Sequence, residues 1–429
     1  MRRGCINMRR FFALAALLSL AFLAGQQAAP ADEKTVLDLD EVTKRISKHN
    51  FLVKEQAIKV YQAREAIQVA RGNLLPSLNV WAIGQAVIDW RMALTLGDYF
   101  LPFLIPANWS RVEEQKWIYE AAKDSYQALW ANEVLAARLV YGQVLSDQKF
   151  SIQLQQELAD LDRLLKWVEN QERFGRVEPG SSLELQVRKQ ALGEDSKRLG
   201  ILIQLNLAQL AYLLGIPQGK EVSLKSESLM SGAPVSLEHL DELIFKAKQE
   251  CVEAQQFEKL SFAAKAARRG FTVSALGVNT LSRSQSGTAL DQLPVQSGWG
   301  FGSTATLRIT DAQAEMLLKL KDYSLEQVGL QVKTAMSAYD LETRNVSVLQ
   351  ARLRLTEEQV QVWLKQAQLG GEVGSILELI EASRNRLAAR KDLISAEFRI
   401  FELEERLMRA LRQGVYYGTL QAPPFKLKP

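Results

Sequence analysis

Twelve residues between Leu325 and Trp363 follow one another at alternating steps of three and four: Leu325, Val328, Val332, Ala335, Tyr339, Glu342, Val346, Leu349, Leu353, Thr356, Val360 and Trp363. Only Glu342 and Thr356 interrupt the apolar run. That spacing is a coiled-coil seam, a narrow greasy stripe on a long helix. Proline is absent between Pro106 and Pro179, and again between Pro294 and Pro423. A proline inside a helix costs about 3 kcal/mol, so these gaps permit two very long helices. A helix of about 57 residues would be a rod of roughly 85 Å. Rods with one narrow stripe cannot close into a globule and must pair laterally. The expected partners are return helices over 182–214 and 375–413. Each rod and its return helix then form a hairpin, with tips near 175–181 and 370–374.

The chain repeats itself at a constant offset of 198 residues. Leu39 matches Leu237, Glu55 matches Glu253, Ala66 matches Ala264, and Arg71-Gly72 matches Arg269-Gly270. Asp124, Val134 and Tyr141 match Asp322, Val332 and Tyr339. One register held over such a length implies two equivalent halves. The expected division is a leader over 1–31, a first repeat over 32–235, a second over 236–414, and a tail over 415–429. Each half opens with a helix, over 38–72 and over 236–269. Strand-like segments follow. Ser77–Ile88 is extended in character and follows a proline, and Phe271–Leu281 and Trp299–Ile309 alternate and carry Thr, Val and aromatics. A further strand is expected within 92–105.

Arg9-Arg10, the apolar run Phe11–Ala24 and Ala29-Pro30-Ala31 read as a secretory leader with a cleavage site before Asp32. Met8 is an alternative start. The leader carries four arginines and no acid. The remaining chain has 49 basic and 49 acidic side chains (53 − 4 against 49). A neutral chain has no nucleic-acid footprint. Cys251 is the only cysteine outside the leader, which leaves no intrachain disulfide and suits a small core residue. His49 and His239, the only histidines, lie near expected helix starts with no second ligand at metal spacing. There is no nucleophile motif, phosphate loop or catalytic constellation. The expectations are no enzyme activity, no metal and no cofactor.

About four strands per chain are too few for a sheet of their own. Trp81, Trp90, Tyr99, Phe103 and Trp299, with Phe100 and Trp109, cluster at or near the strand ends, as girdle aromatics do at bilayer surfaces. A small soluble β-subdomain with an aromatic core is the alternative. A secreted chain without a later apolar span can cross a bilayer only by closing a sheet, and several copies would have to contribute strands.

Together these features resemble the TolC family of outer-membrane efflux proteins, over essentially the whole chain after the leader. AREAIQVARGNLLPSLNV (63–80) resembles the family's helix-to-strand entry. GSILELIEAS (374–383) and RFGRVEPGSSLELQ (173–186) resemble its two tip segments. The resemblance implies a mainly α chain with a small β part. Three copies, each giving four strands, would form a 12-stranded transmembrane β-barrel, and long helical hairpins would form a trimeric periplasmic α-barrel. It implies an exit duct in the outer membrane of a Gram-negative bacterium. The duct would be fed by an inner-membrane pump of the RND or ABC type through a periplasmic adaptor. Outer-membrane lipid is a further partner. Gly175, Val177, Gly180, Ser181, Gly370, Gly371, Val373 and Gly374 would dock the adaptor at the tips, and iris-like loosening of the tips would open the duct. Glu378 and Glu381, three apart on one helix face, would form stacked acidic rings at the entrance that favour cations. Glu184, after the first tip, would pair between subunits with Arg188 or Arg173. The sequence departs from the family at LPFLIPANW and LRITDAQ, where a proline-aromatic-aspartate-glycine turn is usual. The first tip is longer and contains Pro179. Leu369 and Gly374 stand, in an ungapped alignment, where the family's best known member has a tyrosine and an arginine that help hold the entrance shut. The runner-up reading is a periplasmic coiled-coil scaffold or envelope structural protein without a pore.

Overall fold

A computed structural model describes residues 35–75, 102–175, 179–217, 220–225, 239–274, 303–368 and 375–416. The leader, the tail beyond Tyr416 and the expected strand over 77–88 lie outside the described residues. So do most of the other strand-like segments.

The described chain is a set of long helices. Strand β1 (Thr35–Leu37) leads into α1 (Leu39–His49) and α2 (Phe51–Gly72). A 3-10 turn at Pro102–Leu104 precedes the first rod, α3 (Pro106–Arg173), and its return helix α4 (Ser181–Leu213). Strand β2 (Val222–Leu224), α5 (Leu240–Gln249) and α6 (Val252–Ser274) follow. The second rod is α7 (Ser303–Gln368), and its return helix is α8 (Ser375–Ala410). At 68 and 66 residues the rods are about 100 Å long, longer than expected. The helices α2, α4, α6 and α8 all pack against α3, and α6 lies between the two rods. The return helices start and end within a few residues of their expected positions.

All twelve residues of the seam on α7 are buried or half-buried. Val332, Met336, Val328 and their neighbours pack against Ala247, Cys251 and Leu407. Tyr339, Val346 and Leu349 pack against Ala396 and Ile400. Cys251 is a core residue, 4% exposed. The register of the duplication also holds where it counts most for packing: Val134 and Val332, and Tyr141 and Tyr339, are buried at equivalent places on the two rods.

Five expectations need correction. The single helix expected over 38–72 is divided at Asn50. The Asn50 side chain accepts from the Val53 amide (3.0 Å) and donates to Glu133 Oε2 (2.9 Å) and the Leu213 carbonyl (3.0 Å). An asparagine so satisfied outside helical geometry ends one helix and caps the next. The helix expected over 236–269 is likewise divided at Glu250–Cys251. Phe271–Ser274 is not strand but the end of α6, and Ser303–Ile309 is not strand but the start of α7. There Thr306, Thr310 and Ala314 are buried at steps of four, and Thr310 Oγ1 donates to the Leu307 carbonyl (2.8 Å). Ala314 packs on Ala264 of α6. A stripe of small residues at helical spacing had the look of alternation. Lastly, Pro102–Leu104 within the expected strand 92–105 forms a 3-10 turn.

The strands β1 and β2 pair in parallel, with Leu37 opposite Leu224. The Tyr141 hydroxyl reaches the carbonyls of Leu37 (3.4 Å) and Lys225 (3.1 Å), anchoring this ribbon on α3. The surrounding core draws on both halves: Val42, Ile46, Tyr126, Val134 and Tyr141 meet Phe401 and Tyr416.

Two helical glycines make opposite predictions. A Cβ on Gly142 would sit 2.5 Å from Phe401 Cε1 and 3.3 Å from Phe398 Cε2. Here α8 approaches α3 so closely that only glycine fits. Gly142→Ala is expected to cost about 1–3 kcal/mol by overpacking, despite alanine's better helix propensity. At Gly329 the close atom is Lys248 Cε (2.9 Å), on a flexible side chain. Gly329→Ala should be neutral or stabilise by up to about 1 kcal/mol. Unfolding midpoints of the two variants at one scan rate check the contrast.

Candidate functional site

The tip of the first hairpin is built by backbone geometry and one carboxylate. After α3 ends at Arg173, Gly175 has φ +67°, and before α4 Gly180 has φ +102°. Both are left-handed conformations that glycine adopts without strain. Gly180 has no side chain to cap α4. Glu172, in the last turn of α3, does so instead: its Oε1 accepts from the amides of Gly180 (2.6 Å) and Ser182 (3.4 Å). The Ser182 hydroxyl and then the amides of Gly180–Ser182 hold the Glu172 carboxyl below its ordinary pKa. The tip turn therefore gains stability above the usual glutamate pKa of about 4.3 and loses it as pH falls through the lower folded value. Glu172 was missed in the sequence. The available signal was an acid at the end of one helix, followed within ten residues by a Gly-Ser-Ser helix start.

Ser181 is the first residue of α4, and Phe174 projects from the tip at 74% exposure. Val177 lies outside the described residues, as do Gly370, Gly371, Val373 and Gly374 of the second tip. Glu184 is exposed and forms no ion pair with Arg173 or Arg188 within the described chain. Burial, and next the like charge of Arg384, lower the pKa of Arg188.

Glu378 and Glu381 lie in the first two turns of α8, and both are exposed. Between and beside them, Leu379 and Ala382 turn inward onto Val360, Leu164 and Trp363. The inward pair fixes the outward one, so the two carboxylates share the face away from the hairpin core. Neither has an ion-pair partner among the described residues. Arg384 is exposed three residues further along. The face therefore reads acid, acid, base from the tip inward.

Just behind the tips the two hairpins are tied together. Glu157 of α3 is 1% exposed. It accepts from the Ser383 hydroxyl and from Arg386 (2.6 Å), and Arg386 also reaches Asp160 (3.1 Å). Leu154, Leu161, Leu165, Leu185, Leu192 and Leu387 form the adjoining core.

The helices α4 and α7 also carry apolar surface that stands exposed among the described residues. On α7, Leu341, Val348, Leu355 and Val362 recur every seventh residue and are 51–68% exposed. On α4, Leu183, Val187, Ile201, Leu205 and Tyr212 are 59–79% exposed. These are second stripes, on faces turned away from the buried seams.

At the opposite end of the rods, Phe103 is 45% exposed, and its carbonyl accepts from the Trp109 indole (2.8 Å). Trp81, Trp90, Tyr99 and Trp299 lie outside the described residues. Among the described residues no helix is long and apolar enough to cross a membrane, and no group of His, Cys, Asp or Glu is arranged to hold a metal.

No sequence-family model and no curated protein matches the chain. Solved structures do. The open-state MtrE outer-membrane channel of Neisseria gonorrhoeae has a TM-score of 0.64 at 15% identity, over 89% of this chain and 91% of that one. The CmeC outer-membrane channel of Campylobacter jejuni gives 0.68 at 11%, over 90% of each chain. The outer-membrane protein VceC of Vibrio cholerae gives 0.67 at 12%, over 88% and 96%. At such identities the likeness is one of fold, and the fold of this chain is the TolC-type fold that these outer-membrane proteins share.

Proposed function

We propose that this protein is an outer-membrane exit duct, a trimer whose helical hairpins extend into the periplasm. The observation that carries the reading is the end-to-end likeness to outer-membrane channels, over about nine-tenths of both chains. The uncovered stripes on α4 and α7 support the assembly. A second copy would bury them, and each large apolar side chain removed from water contributes about 1.5–3 kcal/mol. The two repeats, 32–235 and 236–414, then supply equivalent hairpins and strand pairs to one closed ring, with four strands per chain in a 12-stranded barrel. The tips dock a periplasmic adaptor, which joins the duct to an inner-membrane pump of the RND or ABC type. The protein is not an enzyme, and energy for efflux comes from the pump.

At the entrance, three-fold symmetry turns Glu378 and Glu381 into two carboxylate rings, with an arginine ring from Arg384 one turn further along. Carboxylates held close raise the local cation concentration and repel anions.

Detergent-solubilised protein is expected to have the mass of three chains and to give discrete, cation-preferring conductances in planar bilayers. Glu378→Gln with Glu381→Gln should abolish the cation preference while single-channel openings persist. Unchanged selectivity would remove the rings from this role. A folded, detergent-free monomer without conductance would favour the scaffold reading.

A further inference from the structure

Where α2 ends and α3 begins, a cleft of about 690 Å³ opens between the helices. Trp109, Glu113 and Lys116 line it from one face of α3, and Arg71 and Leu74 line it from the end of α2. Glu113 is already neutralised by Arg269 (2.7 Å). Arg71 and Lys116 have no ionic partner among the described residues, and among those residues the cleft therefore holds two uncompensated cations. The equivalent place in the second half is different. Arg269, the counterpart of Arg71, pairs with Glu113, and its neighbour Arg268 pairs with Asp311 (2.7 Å). Duplication alone therefore does not account for the free charge.

The apolar setting is specific as well. Trp109 is 55% exposed, Leu75 67% and Leu104 63%, all at this end of the rods. Exposed indole and leucine beside unpaired cations is the composition of a protein surface at a lipid headgroup layer.

We propose that this cleft binds the phosphate of an anionic phospholipid from the inner leaflet of the membrane that the barrel spans. Arg71 and Lys116 hold the headgroup, and Trp109 with Leu74 packs on the glycerol and the first acyl carbons. The inference rests on the outer-membrane channel reading, because only that reading brings this end of the rods to a leaflet. The site would fix the depth at which the rods meet the bilayer.

The test is native mass spectrometry of the detergent-solubilised protein with dioleoylphosphatidylglycerol and dioleoylphosphatidylcholine, each with and without inorganic phosphate. Two basic residues near an anionic surface contribute about 2 kcal/mol, so wild type should prefer phosphatidylglycerol by roughly 30-fold. The preference should vanish in Arg71→Gln/Lys116→Gln. It should survive in Arg354→Gln/Lys365→Gln, which removes the same charge from the exposed face of α7. Equal retention of the two lipids by wild type would overturn the proposal, as would equal loss in both double variants. Displacement of the lipid by millimolar phosphate would overturn it in favour of a free-anion site. Conductance in planar bilayers, recorded on the same preparations, fails only if the channel reading itself fails.

Discussion

Arg138→Ala is expected to destabilise the protein by about 3–5 kcal/mol, the cost of leaving a buried charge alone. Arg138 on α3 is 6% exposed, and Glu405 on α8 is 1% exposed. They meet in a bidentate pair: Nε donates to Oε2 (2.8 Å) and Nη2 to Oε1 (2.6 Å). The Tyr416 hydroxyl donates to Glu405 Oε2 as well (2.8 Å). Arg138 Nη1 also reaches toward the Leu39 carbonyl (3.4 Å). The pair thus joins α1, α3, α8 and the 3-10 turn at Gly414–Tyr416, elements from both halves of the chain.

Burial, reinforced by the Glu405 carboxylate, raises the pKa of the Tyr416 phenol, which keeps it a donor well into the alkaline range. Next to it, burial also raises the pKa of Glu404, which accepts from the Tyr339 hydroxyl (3.2 Å). An alanine at 138 would strand Glu405 in this low-dielectric belt, and two helices would lose their register on each other. The control is a double replacement, Arg138→Met with Glu405→Met. Removing both charges avoids the stranded carboxylate but leaves the buried Tyr416 hydroxyl without its acceptor, at about 1–3 kcal/mol, so the double variant is expected to be more stable than Arg138→Ala. Thermal unfolding of the wild type and both variants checks the order. Equal destabilisation by the single and double changes would show that packing, not the unpaired charge, sets the cost.

Much of this architecture was legible because its signal is one-dimensional. The seam from Leu325 to Trp363 has one period, no proline and one glycine, and it is buried as read. The offset of 198 located equivalent rods without any structural information. What stayed hidden depended on contacts between distant residues. Thr35–Leu37 and Val222–Leu224 are three-residue strands with no alternation to read, and only their pairing across the first half makes them strands. Asn50 lies inside a segment read as one helix, and the break there depends on Glu133 and the Leu213 carbonyl, which accept from its side chain. Thr306 falls inside the segment read as strand, and its burial in step with Thr310 and Ala314, the last packed on Ala264 of α6, decides for helix. The second stripes on α4 and α7 were masked by the first, since a helix with two stripes looks only diffusely apolar.

The candidate site divides the same way. The acidic pair at 378 and 381 was visible as spacing. Glu157 and Arg386 are 229 residues apart, and nothing in their spacing links them.

Those two residues carry the other large prediction. Arg386→Met is expected to cost about 3–5 kcal/mol, concentrated near the tips. Glu157 lies in the tip-side leucine core with both oxygens engaged, one by Ser383 and one by Arg386. Without the guanidinium the carboxylate keeps one hydrogen bond, from Ser383, and only the through-space attraction of Arg188. The positive charges of Arg188 and Arg384 are not bonded to it. The damage should be local, because this contact joins the start of α8 to α3 while the Arg138–Glu405 pair holds the far end of the same helix. Hydrogen exchange should therefore quicken by roughly 100-fold over 375–392, where local opening becomes about 3 kcal/mol easier, and stay unchanged around Glu405. Glu157→Gln keeps an acceptor for Ser383 and removes the charge, so its effect should be smaller, about 1–3 kcal/mol. In an exit duct whose entrance opens by loosening the tips, the same substitution should raise the open fraction in planar bilayers. This buried clasp would then be part of what holds the entrance shut. Unchanged exchange over 375–392 in Arg386→Met would mean that the leucine core alone holds the hairpins together.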